Sequence, residues 1–220
     1  MDDVGNRMEN RFYVIEGTSC AGKTSVIRML ENAGNKIIPE NSTLYEDFPP
    51  LPTNFQESRR NEGIILPIEN QRCEMARSFD GIAVLDRMIA SSLAISYAWN
   101  YGTINLFIDD VIKYIKDTGQ TFISDCCFHL KVDYDSIVER NKIRKNFLGP
   151  RWVGKEVISR QNYFYDVYKD IMVSEKWVDI NSVDNTTNQI FDIIENSKVM
   201  KKSVSIEQRV EEFIRLNEKL

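Results

Sequence analysis

Residues 17 to 24 read GTSCAGKT, two glycines bracketing four residues and followed by a lysine and a threonine. Glycines in that spacing let backbone N–H groups turn inward around phosphate oxygens, and a helix beginning near Lys23 adds its positive end to the nest. Gly17, Thr18, Ser19, Cys20, Ala21, Gly22 and Ser25 frame such a nest, Lys23 reaches the outer phosphates, and the Thr24 hydroxyl can ligate a magnesium ion carried by those phosphates. The alternative is a glycine turn that matches a short pattern by chance. The flanks favour phosphate: FYVI (12–15) reads as a short buried strand, and Val26, Ile27 and Leu30 share one helical face before Gly34 offers a stop.

A second pair with chemical potential is Asp86 and Arg87, which follow the continuous apolar run GIAVL (81–85). Such a run predicts a central parallel strand, and ligands of open α/β sheets bind at the carboxyl ends of the strands. A carboxylate there can hold magnesium waters or orient a hydroxyl, and a guanidinium can grip phosphate in bidentate fashion. An ordinary salt-bridging pair at a helix start is the competing reading.

Further strands are expected at KIIP (36–39), CCFHLKV (126–132) and KWVDI (176–180). Between them, helical spacing predicts helices over 66–79 (with Pro67 near the first turn), 86–99, 103–119, 135–145, 157–173 and 188–196, and ENSTLYEDFPPLPTNF (40–55) reads as a long proline-rich loop. Repeated β-then-α order with five strands predicts an α/β fold of three layers, α/β/α, around a five-stranded parallel sheet. His129, the single histidine, and the aromatic cluster NYFYDVY read as core packing.

Composition narrows the function classes. The 220 residues suit one domain, and a net charge of −5 with dispersed basic residues argues against duplex nucleic acid as a partner. The start, MDDVGNRMEN, lacks the pattern of a secretory signal, no apolar run reaches membrane-spanning length, and the four cysteines show no CxxC pairing. A cytoplasmic protein with reduced thiols is expected.

In IEGTSCAGKT, DRMIASSLA, SDCCFHLKVDYD, ERNKIRK and VDINSVDNTTNQI, taken in that order, the chain resembles the thymidylate kinase and deoxynucleoside kinase group. The resemblance implies the P-loop kinase fold over residues 11–197 with a lid near 139–155; the tail over 1–10 is expected to be disordered, and over 198–220 Ile206, Val210 and Phe213 suggest an amphipathic helix that packs on the body or joins a partner chain. The resemblance also implies ATP and Mg2+, with Lys23, Asp86, Arg87, Arg140 and Arg144 as catalytic groups and Thr24 and Asp86 at the metal. The two lid arginines, spaced i and i+4 on the expected helix, would close over the transferring phosphoryl group. Glu40 would take the proton from an acceptor hydroxyl, and Arg72 and Arg87 would contact the acceptor. A homodimer is implied by the resemblance alone. Taken without it, Arg140 and Arg144 fit a solvated basic face, Arg72 a surface charge and Glu40 a loop carboxylate.

The chain departs from the group at Ser19, Met88, Ile95 and Ser96, and by Asn41 and Ser42 after Glu40. The expected activity is transfer of the γ-phosphoryl of ATP to a nucleoside or a nucleoside monophosphate. Two alternatives stand beside it. One is a kinase of a polyol, drug or polynucleotide end; the other is a nucleotide-binding regulator without turnover.

Overall fold

The computed structural model of the protein describes residues 10–182, 186–196 and 204–220. The tail expected over 1–10 falls, apart from Asn10, outside these residues. Five strands, β1 (Arg11–Glu16), β2 (Lys36–Ile38), β3 (Ile82–Asp86), β4 (Cys126–Lys131) and β5 (Trp177–Asn181), form one sheet in the order β2-β3-β1-β4-β5, with every pairing parallel. Each expected strand is present.

Among the described residues the helices are α1 (Lys23–Asn32), α2 (Asn41–Leu44), α3 (Phe55–Ser78), α4 (Ile89–Trp99), α5 (Ile104–Thr118), α6 (Tyr134–Lys142), α7 (Pro150–Val153), α8 (Lys155–Ile171), α9 (Thr186–Asn196) and α10 (Ile206–Lys219). Strand residues alternate between the two faces of the sheet. Tyr13, Ile15 and Phe128 pack with Val26, Leu30 and Ile190 of α1 and α9, whereas Phe12, Val14 and Leu85 pack with Leu93, Phe107, Phe164 and Phe213 of α4, α5, α8 and α10. The sheet is thus covered on both faces. No helix among the described residues is long and apolar enough to cross a membrane.

The stretch expected as a long loop contains the short helix α2, and two other helices differ from the expectation in ways that bear on the site. The helix expected over 66–79 is 24 residues long and starts at Phe55, with Pro67 inside it. Asn54 caps it, its side chain accepting from the Glu57 N–H at 3.0 Å, and Glu57 stands in the first turn. Pro67 removes the hydrogen bond to the Gly63 carbonyl, and Gly63 is exposed, so water can take that carbonyl. The second difference is at α6, which ends at Lys142, two residues before Arg144. The two lid arginines therefore do not share a helical face.

Helix α10 packs on the body of its own chain. Arg209, fully buried, pairs with Glu212 (3.0 Å) and Glu175 (3.6 Å) and donates to the Thr121 carbonyl at 3.0 Å, while Val210, Phe213 and Leu216 join the core. A buried pair at the helix root fixes where the apolar stripe lands, because an unpaired charge there would be costly.

Candidate active site

The loop from Gly17 to Thr24 leaves β1 at the carboxyl edge of the sheet and enters α1. Gly17 has φ 141°, and a Cβ on it would lie 2.8 Å from the Leu130 carbonyl oxygen of the neighbouring β4; Gly22 has φ 96°, with its Cβ position 3.0 Å from Ser182 Oγ. Both turns require glycine. Cys20, also left-handed at φ 60°, adopts that conformation with a side chain.

Lys23 is buried inside the loop. Its Nζ donates to the carbonyls of Gly17 (2.8 Å) and Thr18 (2.6 Å). Burial, and after it the Arg87 charge, bring its ammonium down to about 7, opposed by Asp86, Glu16 and Glu40. Thr24 and Ser25 are exposed in the first turn of α1, where the Ser25 N–H donates to the Gly22 carbonyl at 3.0 Å.

Asp86 closes β3 and faces the same space. Burial pushes its carboxyl upward against the charges of Arg87 and Lys23, and its Oδ1 is buried with no hydrogen-bond partner. Thr24 and that orphaned oxygen fit a magnesium ion that arrives with phosphate oxygens and water, the ligand set this ion prefers. No cluster of three or more His, Cys, Asp or Glu side chains among the described residues forms a metal cage by itself.

Arg87 stands in the left-handed region at φ 67°, a strained state for a side chain with a Cβ. Glu16, the last residue of β1, holds the turn. Its carboxylate accepts the Met88 N–H at 2.9 Å and hydrogen bonds from Ser91 Oγ and Tyr165 OH (3.2 Å for the latter). Burial raises the Glu16 carboxyl to about 7, opposed by the Ser91 hydrogen bond and the Arg87 charge. So held, Arg87 donates to the Gly17 carbonyl at 3.2 Å and to Ser91 Oγ at 3.2 Å, and its Nε lies 3.3 Å from Glu40 Oε2.

Arg72 is fully buried. It donates to the Pro39 carbonyl (3.0 Å), to Glu69 (2.8 Å) and to the carbonyls of Asp86 (2.7 Å) and Arg87 (3.0 Å). It therefore brackets the ends of β2 and β3, placing Glu40 opposite Arg87. Those contacts engage most of the N–H donors of a guanidinium.

On the other side of the loop, Arg140 donates to Ser182 Oγ (2.9 Å), the Ser182 carbonyl (2.6 Å) and the Cys20 carbonyl (3.3 Å). Ser182 Oγ in turn donates to the Ala21 carbonyl at 2.5 Å. Arg144 Nη1 is 3.8 Å from Cys20 Sγ. Both cations thus lie against the loop. Part of the segment expected to follow β5, residues 183–185, is outside the described residues.

Lys23, Thr24, Glu40, Arg72, Asp86, Arg87, Arg140 and Arg144 line one cavity of about 1200 Å³, running from the loop past Glu40 and the proline-rich segment to α3 and α4. At its far end Glu62 is buried and accepts from Ser58 (3.1 Å), Ser96 (2.9 Å), Thr103 (2.5 Å) and Arg59 (2.8 Å). Sequence reasoning assigned no role to Glu16, Ser182, Ser91, Tyr165 or Glu62. For Glu16, Ser91 and Ser182 a signal existed, since all three sit inside the quoted motifs; Tyr165 and Glu62 are joined to the site only by the fold. His129 is more than packing: it is buried, and its Nδ1 lies 3.0 Å from Asp179 Oδ1.

No protein-family model and no curated protein sequence matches the chain. Solved structures do. A deoxyadenosine kinase from M. mycoides with bound dATP aligns at a TM-score of 0.59 and 16% identity, covering 84% of this chain and 100% of that one. The same enzyme with products dCMP and a flexible dCDP bound gives 0.63 and 17% over the same shares. The thymidylate kinase from Candida albicans gives 0.64 and 17%, covering 89% of this chain and 97% of that one. The chain has the fold of these P-loop kinase structures.

Proposed function

We propose that this chain, which shares its fold with nucleoside and nucleotide kinases, transfers the γ-phosphoryl group of ATP to the hydroxyl of a nucleoside. The likeness to those kinases supports phosphoryl transfer, and the acceptor class rests on the charges around the acceptor half of the cavity. There the carboxyls of Glu40, Glu46, Glu62, Glu69 and Asp86 outnumber the cations beside them, Arg72, Arg87 and, paired with Glu62, Arg59. Arg72 is engaged by strand-end carbonyls and Glu69, and Arg87 by Glu40, Ser91 and the Gly17 carbonyl. A dianionic monophosphate would meet a net negative wall, whereas a neutral hydroxyl would meet a carboxylate ready to take its proton. The single observation carrying this reading is the Glu40 carboxylate at 3.3 Å from Arg87, at the boundary between loop and acceptor space.

In this reading the triphosphate lies in the loop, its outer phosphates displacing the Gly17 and Thr18 carbonyls as the partners of Lys23. Thr24 and Asp86 would hold magnesium, which would neutralise phosphate charge. Glu40 accepts the proton of the acceptor hydroxyl, whose oxygen bonds to the γ-phosphorus as the bond to the β,γ-bridging oxygen breaks and ADP leaves. Arg87 orients Glu40, and Arg140 and Arg144 neutralise the charge spreading over the transferring group. Most of the rate comes from positioning and electrostatics.

The test is a transfer assay with labelled ATP, magnesium and matched pairs: deoxyadenosine and dAMP, deoxycytidine and dCMP, thymidine and dTMP. Labelled nucleoside monophosphate is the expected product. Label appearing only in diphosphates would overturn the acceptor class while leaving the kinase, and no transfer to any member would refute both.

A further inference from the structure

The Arg140 segment and the proline-rich segment both line the cavity and are far apart in sequence, yet one cluster of side chains joins them. Arg151, in α7, lays its guanidinium over the Trp99 ring, with Cζ 4.3 Å from the ring centroid, and Nη2 donates to Tyr101 OH at 2.8 Å. The Tyr101 hydroxyl donates onward to the Pro52 carbonyl at 3.2 Å. Trp99 returns the contact, its Nε1 donating to the Arg151 carbonyl at 3.0 Å. On the lid side, buried Asn141 ties the segment into a unit, donating to the Leu148 carbonyl (2.9 Å) and accepting the Leu148 N–H (3.0 Å). A displacement of Pro52 or Trp99 is thereby passed to α7 and on to the stretch bearing Arg140 and Arg144.

We infer that Arg151 is a positioning residue that couples occupancy of the acceptor space to the placement of the two lid arginines, and so to ATP binding. The inference rests on the kinase reading above. Trp99 and Pro52 line the cavity, so an acceptor that fills it presses on the joint directly. Arg151 Nε is buried without a hydrogen-bond partner, which marks an arrangement that a small shift can improve. A planar guanidinium suits the task, since it stacks on an indole and donates in its own plane at once. Coupling of this kind is reciprocal: whatever the acceptor does for ATP affinity, ATP does for the acceptor.

The experiment measures binding of a non-hydrolysable ATP analogue to the full chain, with and without saturating deoxyadenosine, deoxycytidine or thymidine. At least one nucleoside is expected to tighten the analogue by about tenfold, within the usual span of such coupling. In Tyr101→Phe and in Arg151→Lys that gain should fall to within twofold, while affinity for the analogue alone changes less than twofold. Arg151→Lys keeps the charge but not the stacked plane, and Tyr101→Phe removes one hydroxyl, so loss of folding in either is readable by melting and leaves the other informative. Full coupling in both folded variants, or independent binding in the unaltered protein together with active transfer, would overturn the inference and leave the kinase reading standing. Absence of both coupling and transfer would remove the reading and the inference with it.

Discussion

ATP binding should carry a proton with it, and Lys23 is the reason. Burial and the Arg87 charge hold its ammonium near 7 while it rests on the Gly17 and Thr18 carbonyls. A triphosphate at the same nitrogen favours the charged form and returns the group toward the ordinary lysine range. The sign follows directly. Above pH 7 the free protein has lost the proton that the complex keeps, so binding takes one up and affinity falls as pH rises. A group near 7 is about one-tenth charged at pH 8, which gives an uptake of about 0.9 proton per nucleotide there, about 0.5 at pH 7 and about 0.1 at pH 6. Calorimetry of a non-hydrolysable ATP analogue in HEPES and in Tris, whose ionisation enthalpies differ, reads this number. Glu16 titrates in the same range, raised to about 7 by burial, so two variants separate the groups. Lys23→Arg keeps a charge that does not titrate and should bring uptake at pH 8 close to zero, whereas Glu16→Gln should retain most of it. Equal uptake in the unaltered protein and in Lys23→Arg would refute the assignment.

Glu40→Gln removes the proposed proton acceptor while preserving its shape, so turnover should fall by about 10²-fold or more with affinity for the ATP analogue unchanged; turnover within fivefold of the parent would exclude that role. Gly22→Ala imposes a left-handed residue with a Cβ 3.0 Å from Ser182 Oγ, costing about 1–2 kcal/mol from the backbone alone. Adding Ser182→Ala should restore only the steric part, which thermal unfolding of the single and double variants would resolve. Arg209→Met leaves Glu175 and Glu212 buried without their cation, a loss of about 3–5 kcal/mol. Chemical denaturation showing less than about 1 kcal/mol would mean that α10 is held by its apolar stripe alone.

What the sequence disclosed, and what it concealed, follows from where each signal is written. Strands β1 and β3 carry continuous apolar runs because a central parallel strand is covered on both faces, so they were visible, as was the loop, whose glycines are required by φ and by the approach of Leu130 and Ser182. The pairs that build the site lie across strands. Glu16 is adjacent in sequence to the loop, but its task of holding the turn at Arg87 exists only because β1 and β3 are neighbours. The joint of Pro52, Trp99, Tyr101 and Arg151 is likewise written in three separate segments.

Helix α3 shows the limit most sharply. Its buried residues, Ser58, Glu62, Leu66, Glu69, Arg72, Cys73 and Ala76, recur at helical spacing from the first turn to the last. The period was in the sequence all along, but four of its seven members are charged or polar, and a search for apolar periodicity takes those positions for the solvent face. That is why the expected helix began only at Leu66, and why Arg72 read as a surface charge. Burying these groups is tolerable only because they satisfy one another: Arg72 with Glu69 and the strand ends, Glu62 with three hydroxyls and Arg59. Only three members of that face, Leu66, Cys73 and Ala76, join the apolar core, so the helix is held there by hydrogen bonds as well as by apolar burial. It lines the acceptor half of the cavity, and an inner face built from hydrogen-bonding groups is what discrimination between polar ligands demands.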